Sequence, residues 1–177
     1  QDTIANLFGS LVVVMDQPFR VGEVVKIGAN EGKVEDIGLR STKIRTGART
    51  VIAIPNKTVA AEAITNFTRM PQRRVDQMLG FTYDTTPEQL EALMGDIRTL
   101  LRADEGVHKD TIVVHFANYG ASSLDVQLVW FAIDPDWVRH MAVRERVNLK
   151  IMRAAAARGV EFAFPTQTVH LAPTAKS

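Results

Sequence analysis

Four histidines, His108, His115, His140 and His170, are the residues best able to hold a metal or move a proton in a chain without cysteine. They fall in a predicted loop, strand, helix and terminal strand. None forms the His-Glu-x-x-His spacing that brings two imidazoles onto one helical face. Surface or packing roles account for each. Gly120-Ala121-Ser122-Ser123 lies inside a hairpin and lacks the Gly-x-Ser-x-Gly pattern, between strand and helix, of a nucleophile elbow. Asp134 and Asp136 flank Pro135 at a helix start, where capping explains both carboxylates. Gly28, Gly32 and Gly38 sit among β-branched residues and open no helix, so they form no phosphate cradle. Trp130 and Trp137 read as core or interface residues rather than ligand stackers. No catalytic, cofactor-binding or metal-binding set can be assembled. The expectation is a protein that is not an enzyme and needs no cofactor.

Nucleic acid is a poor fit as main partner. The 177 residues carry 21 Lys and Arg against 20 Asp and Glu, a net charge of +1, and strong binding to a polyanion needs a basic excess. Lys43, Arg45 and Arg49 cluster, but aromatic residues for base stacking are scarce beside them, so they read as solvated or subunit-facing. A hydrophobic share of 46% is ample for a buried core, in one large domain or two small ones. The chain opens on Gln1 with no initiator methionine or signal-peptide pattern, and reads as part of something longer.

The elements begin with a helix over residues 2–17. Ile4, Leu7, Phe8, Leu11, Val14 and Met15 recur at helical spacing, Asp2 or Thr3 is placed to cap the start, and Pro18 ends it. At 1.5 Å per residue its apolar segment is about 18 Å long, against roughly 30 Å of bilayer hydrocarbon. It cannot span a membrane. It either packs on the following domain or a neighbouring subunit, or lies at a membrane face, although it lacks a basic fringe. From Pro18 to Asn56, short β-branched runs at 24–27, 33–34, 42–44 and 50–54 alternate with glycine-containing turns. No gap is long enough for a crossover helix, so a small antiparallel barrel is expected. Asn56 is placed to cap a helical turn over 57–62, and residues 63–68 supply a fifth strand, giving an Sm-like barrel over residues 18–68.

Residues 69–74 interrupt the alternation and introduce Pro71, marking a boundary. Beyond it come a strand at 75–83, a helix opened by a Thr86-Pro87-Glu88-Gln89 capping box and running to Gly106, and strands at 112–116 and 124–131 around a turn at 118–122. A second helix starts near Asp134-Pro135-Asp136 and ends at Arg158-Gly159. Val143, Val147, Ile151 and Ala154 form its buried stripe, with Met141, Leu149 and Met152 widening it. Short strands at 160–164 and 168–171 close a β-α-β-β-α-β order, the ferredoxin-like pattern. The fold class is therefore α+β: an N-terminal amphipathic helix, an Sm-like five-stranded barrel, a ferredoxin-like sandwich over 69–165 and a tail over 166–177.

These residues also carry a resemblance. Asp16 to Gly22, with Pro18, Phe19 and Gly22; Gly32 to Ile37; Leu39 to Thr46; Val51 to Asn56, ending Pro55-Asn56; Tyr119 to Ser123; and Phe164 to His170 occur in the same order in small-conductance mechanosensitive channels, and the chain is similar to that family over nearly its whole length. The resemblance implies the cytoplasmic vestibule of a tension-gated channel in a bacterial inner membrane, releasing ions and small osmolytes on hypo-osmotic shock. It implies a homoheptamer that contacts the lipid bilayer through an upstream pore helix, with no nucleic acid partner. Residues 1–17 resemble the half of the broken pore helix that runs near the membrane plane. Asp2 departs from a flexible glycine there, and Phe8 from a small residue. Asn6, Phe8, Gly9 and Ser10 are the expected coupling surface, because the helix has few other polar or small residues with which to pack closely; Phe8 packing in a subunit core is the competing reading. Residues 166–173 resemble the start of a terminal barrel strand. The alternative is a soluble Sm-like and ferredoxin-like module that binds RNA or a small-molecule regulator.

Overall fold

The computed structural model describes residues 2–165, with the side chains of a few residues of the first helix, Asn6 among them, outside the description. The chain divides into two compact units, Gln1–Pro71 and Gln72–Ser177, each described by itself.

In the first unit, helix α1 (Asp2–Asp16) ends where Gln17 adopts a positive φ of 43° before Pro18. Five strands follow: β1 (Val24–Ile27), β2 (Asn30–Ile37), β3 (Ser41–Arg45), β4 (Val51–Pro55) and, after helix α2 (Asn56–Ala61), β5 (Ile64–Asn66). They pair antiparallel as expected, in the order β4-β3-β2-β1-β5, with β2 longer than its β-branched core because glycine and charged residues continue the ladder. Alternation puts Val25, Ile27, Val34, Ile44 and Ile54 on one buried face, joined by Phe19, Val59 and Val13 of α1. Gly32 permits the closest approach within the sheet, since a Cβ there would lie 2.5 Å from the Arg45 carbonyl oxygen.

The second unit comprises β6 (Arg73–Phe81), α3 (Pro87–Ala103), β7 (Val113–Tyr119), β8 (Leu124–Ala132) and α4 (Trp137–Ala157). The sheet order is β6-β8-β7, with β6 and β8 in unbroken register from Arg73↔Ala132 to Phe81↔Leu124. After α4 the chain returns beside β6, where Phe162 bridges Phe81. The strand expected at 160–164 is thus a single bridge, and the one expected at 168–171 lies outside the described residues. Phe81, Leu93, Ile97, Leu101, Leu128, Trp130, Val147 and Ile151 fill the core between sheet and helices. The α3 capping box forms as expected, with the Gln89 amide N–H donating to Thr86 Oγ1 at 3.3 Å and the Thr86 N–H to Gln89 Oε1 at 3.0 Å.

Two helix expectations are corrected. The cap of α4 is Asp136, which accepts from the Arg139 N–H at 3.0 Å; Pro135 precedes it because Asp134 is occupied in a turn, accepting from the Asp136 N–H at 2.9 Å. Met141, Leu149 and Met152 do not widen the buried face. They are exposed, because the core side of α4 is already filled by His140, Val147, Ile151 and Ala155.

The carboxylate of Asp104, just past α3, has only 1% of its side chain exposed. It accepts from Arg146 Nη2 at 2.6 Å, Lys150 Nζ at 2.8 Å and the Gly106 N–H at 3.0 Å, tying α3 to α4. The Arg146 hydrogen bond, reinforced by Lys150 and Gly106, outweighs burial and holds its pKa well below the usual carboxylate range. A depressed carboxylate stabilises the fold above its unfolded pKa of about 3.9, and that contribution is lost as pH falls below it. Asp104→Asn is expected to cost about 2 kcal/mol near neutral pH, since both cations are part-exposed. In urea titrations this cost shrinks below about pH 4; a pH-independent cost would show that charge is not its source. His140 is lowered by burial and by Arg73 and Arg144, so its neutral form stabilises the fold above about pH 6.5. The urea midpoint should fall on acidification from there, and His140→Gln should flatten that limb.

Candidate functional site

No metal-holding cluster of three His, Cys, Asp or Glu occurs among the described residues. His115 is exposed on β7 and His140 is buried in α4. His108 lies 3.9 Å from Asp110, and His170 lies outside the described residues. Ser123 Oγ donates to Asp125, two residues on, at 2.6 Å. The cationic cluster is engaged by its own sheet: Arg45 pairs with Glu35 and Lys43 with Asp36 at 3.5 Å, while Arg49 occupies a turn at φ 65°.

The arrangement with mechanical content is the dock of α1 on the first unit. Gly9 and Ser10 face α2, one turn before Val13 of the core. At Gly9 the approach is so close that a Cβ would lie 2.4 Å from the Asn56 carbonyl oxygen. Only glycine permits that contact without moving a helix. Beside it, Ser10 Oγ donates to the Leu39 carbonyl oxygen at 2.5 Å and accepts from Asn56 Nδ2 at 2.8 Å. The same amide nitrogen donates to the Gly38 carbonyl oxygen at 2.8 Å, and Asn56 Oδ1 accepts from Thr42 Oγ1 at 2.8 Å. Asn56 and Thr42 are fully buried, so each polar group here depends on its protein partners.

Asn56 is therefore not the cap expected from sequence. It is the first residue of α2, Pro55 stands at the cap position, and no side-chain cap bond forms, because the amide is turned inward to bind three partners. Thr42 and the Gly38 carbonyl were not singled out by sequence; a threonine at an inward position of an alternating strand is the signal that could have pointed to a buried polar partner. Pro18 and Phe19 build the turn that follows α1. Phe19 is buried, and the Pro18 carbonyl oxygen accepts from Asn66 Nδ2 at 3.2 Å. Gly22 adopts φ 95°, and its N–H donates to the Val34 carbonyl oxygen at 2.8 Å.

The opposite side of α1 is apolar and uncovered in the isolated chain. Ile4, Leu7, Phe8, Leu11 and Met15 are exposed, Phe8 to 66%. Of the expected coupling residues, the structure brings Gly9 and Ser10 together on the docked side and puts Phe8 on the outward side. The side chain of Asn6 is outside the description.

Two family models match the chain, the β-domain of mechanosensitive ion channels over residues 2–69 and the C-terminal domain of the mechanosensitive channel MscS over residues 78–162. An uncharacterised MscS family protein of Aquifex aeolicus is 42% identical over all of this chain and 48% of its own length. The small-conductance mechanosensitive channel MscMJ of Methanocaldococcus jannaschii is 37% identical over 97% of this chain and 49% of its own length. The chain thus spans about half the length of these relatives. Among solved structures, the closed state of Helicobacter pylori MscS superposes with a TM-score of 0.83 at 23% identity, over 98% of this chain and 67% of that one. Arabidopsis thaliana MSL1 superposes with a TM-score of 0.85 at 20% identity, over 92% and 59%. These likenesses establish the fold, and the two family models cover most of the sequence in order. The chain belongs to the MscS family of mechanosensitive ion channels, of which it carries the β-domain and the C-terminal domain.

Proposed function

We propose that this chain is the cytoplasmic vestibule portion of a tension-gated channel of a bacterial inner membrane, which passes ions and small osmolytes on hypo-osmotic shock and assembles as a homoheptamer. The observation that carries the reading is the two-sided character of α1: one side is locked on the Sm-like unit through Gly9, Ser10 and Asn56, and the other presents an apolar row. No described helix is long and apolar enough to cross a membrane, and the relatives are about twice as long, so the pore helix is assigned to the portion of the protein not contained in this chain. Named relatives include small-conductance and low-conductance mechanosensitive channels, which supports channel activity rather than catalysis.

In this reading, tension favours the state with the larger in-plane area, and the energy difference between closed and open shifts the population. A helix that transmits the shift must be held firmly at one side and be free to exchange neighbours at the other. The Asn56 network supplies the firm side. The row containing Phe8 faces lipid or a neighbouring helix and supplies the exchangeable one. Asn6, on the same helix, belongs to the coupling element.

Patch recordings of the intact channel test both sides. Phe8→Ala removes contact area only from the exchangeable side, so the tension threshold or inactivation rate should change while the thermal stability of the soluble chain stays within a few degrees of the parent. Unchanged gating would count against the assignment. Asn56→Ala strands Gly38 and Thr42 without their partner and should cost about 3 kcal/mol, with gating that no longer tracks tension in the parent's manner. An Asn56→Ala channel of ordinary stability and gating would show that the dock carries no load.

A further inference from the structure

Arg73, the first residue of β6, is tied to the start of α4 in two ways. Its Nε donates to the Pro135 carbonyl oxygen at 3.2 Å, and its guanidinium lies 5.2 Å from the centre of the Trp137 ring, a cation–π distance. Trp137 is the first residue of the helix. Its ring also stands beside the imidazole of His140, with centres 5.8 Å apart. The three side chains make a clasp between strand and helix, with Trp137 shared by Arg73 and His140.

His140 is 3% exposed, and its Nδ1 is buried with no hydrogen-bond partner among the described residues. Its backbone N–H closes the first turn of α4 by donating to the Asp136 carbonyl oxygen at 2.8 Å. Burial opposes a charge on the ring, and so do Arg73 from β6 and Arg144 from the next turn of α4. The positive end of the helix dipole adds to them. The nearby carboxylates are already engaged. Asp134 holds Arg139 at 2.9 Å and accepts from the Asp136 N–H, while Asp136 caps the helix by accepting from the Arg139 N–H. Asp76 pairs with Arg74 at 2.7 Å, and strand alternation puts both on the opposite face of β6 from Arg73.

We propose that His140 makes this clasp an acid-sensitive latch: neutral, it lets the first turn of α4 close on β6, and protonated, it opens that turn and releases Trp137 from Arg73. An imidazolium donates from both ring nitrogens, and a proton on Nδ1 would be buried without an acceptor between two guanidinium groups. The short route to water is to unwind the turn that the residue's own N–H closes. In the opened turn His140 titrates near its ordinary value of about 6.5, and in the closed turn below it. The neutral form therefore holds the latch above that pH, and below it opening gains about tenfold per pH unit until the closed form protonates as well. Arg73 is the second residue of the second unit, so the latch acts where the chain enters that unit. It concerns this unit alone and is independent of the channel reading.

Hydrogen exchange of this chain in solution, corrected for the intrinsic pH dependence of amide exchange, reads the latch. Between about pH 6.5 and pH 5.5 the amides of Arg139 and His140 should open about tenfold more often, and at each pH ahead of the core amides of Leu93 and Ile97 on α3. His140→Gln should remove that acid gain. Arg144→Gln takes away one opposing charge and leaves Arg73 and Trp137 in place; it should shrink the gain at the lower pH, because the closed turn then protonates more readily. Arg139 and His140 amides that exchange only together with those of Leu93 and Ile97 would show that the helix start opens with the whole unit. An acid gain that survives His140→Gln would belong to another group. Either result overturns the latch.

Discussion

The first unit depends on one buried carboxamide. Asn56 donates twice and accepts once in a site closed to water, and no other side chain of that size can do so. Aspartate could not donate to Ser10 and Gly38, and leucine would leave Thr42, Gly38 and part of Ser10 unsatisfied. Its backbone carbonyl is also the group against which Gly9 packs. One residue therefore sets both the polar and the steric terms of the contact that holds α1, the β2–β3 turn and α2 together. The apolar row of α1 is directed outward because these terms consume the helix's small and hydroxyl positions on the other side.

The second unit solves a similar problem with charge. Asp104 joins the end of α3 to the middle of α4 through Arg146 and Lys150, and Asp96 repeats the tie at the other end through Arg158. The carboxylate of Asp104 is buried while its cations remain part-exposed, so desolvation falls mainly on a single group that receives several hydrogen bonds. With the inner side of α4 fixed by these ties and by the core, the bulk of Met152 and Leu149 is left exposed. Both units thus carry a helix with large apolar side chains exposed on the side that its own unit does not cover.

Much of this was legible in sequence because the signals were local. Alternation at Val25, Ile27, Ile44 and Ile54 gave the strands, and Thr86 with Gln89 gave the start of α3, since each depends on neighbours within one turn or one strand. Asn56 was misread as a cap for the opposite reason: its partners lie at positions 10, 38 and 42, and proximity of that kind has no periodicity. Leu149 and Met152 were misassigned to the core because hydrophobic spacing reports that a side is apolar but not which body covers it. The strand expected at 160–164 shrank to the Phe162 bridge, because hydrophobic alternation marks a sheet-facing stretch without saying how far its ladder runs. Gly9 was recognised as a close-packing position, and what it packs against became visible only in three dimensions.

The separation between Ser10 and Asn56, 46 residues in sequence, has a temporal side. A ribosome delivers α1 well before the amide that will hold it exists outside the exit tunnel, and β2, β3 and β4 must pair before that amide is in place. Throughout that interval both sides of α1 are open, the apolar row that stays exposed in the finished fold and the side that Asn56 will hold. The order of synthesis therefore leaves α1 waiting on the strands, and its dock closes only after β2, β3 and β4 have paired and Asn56 has turned inward.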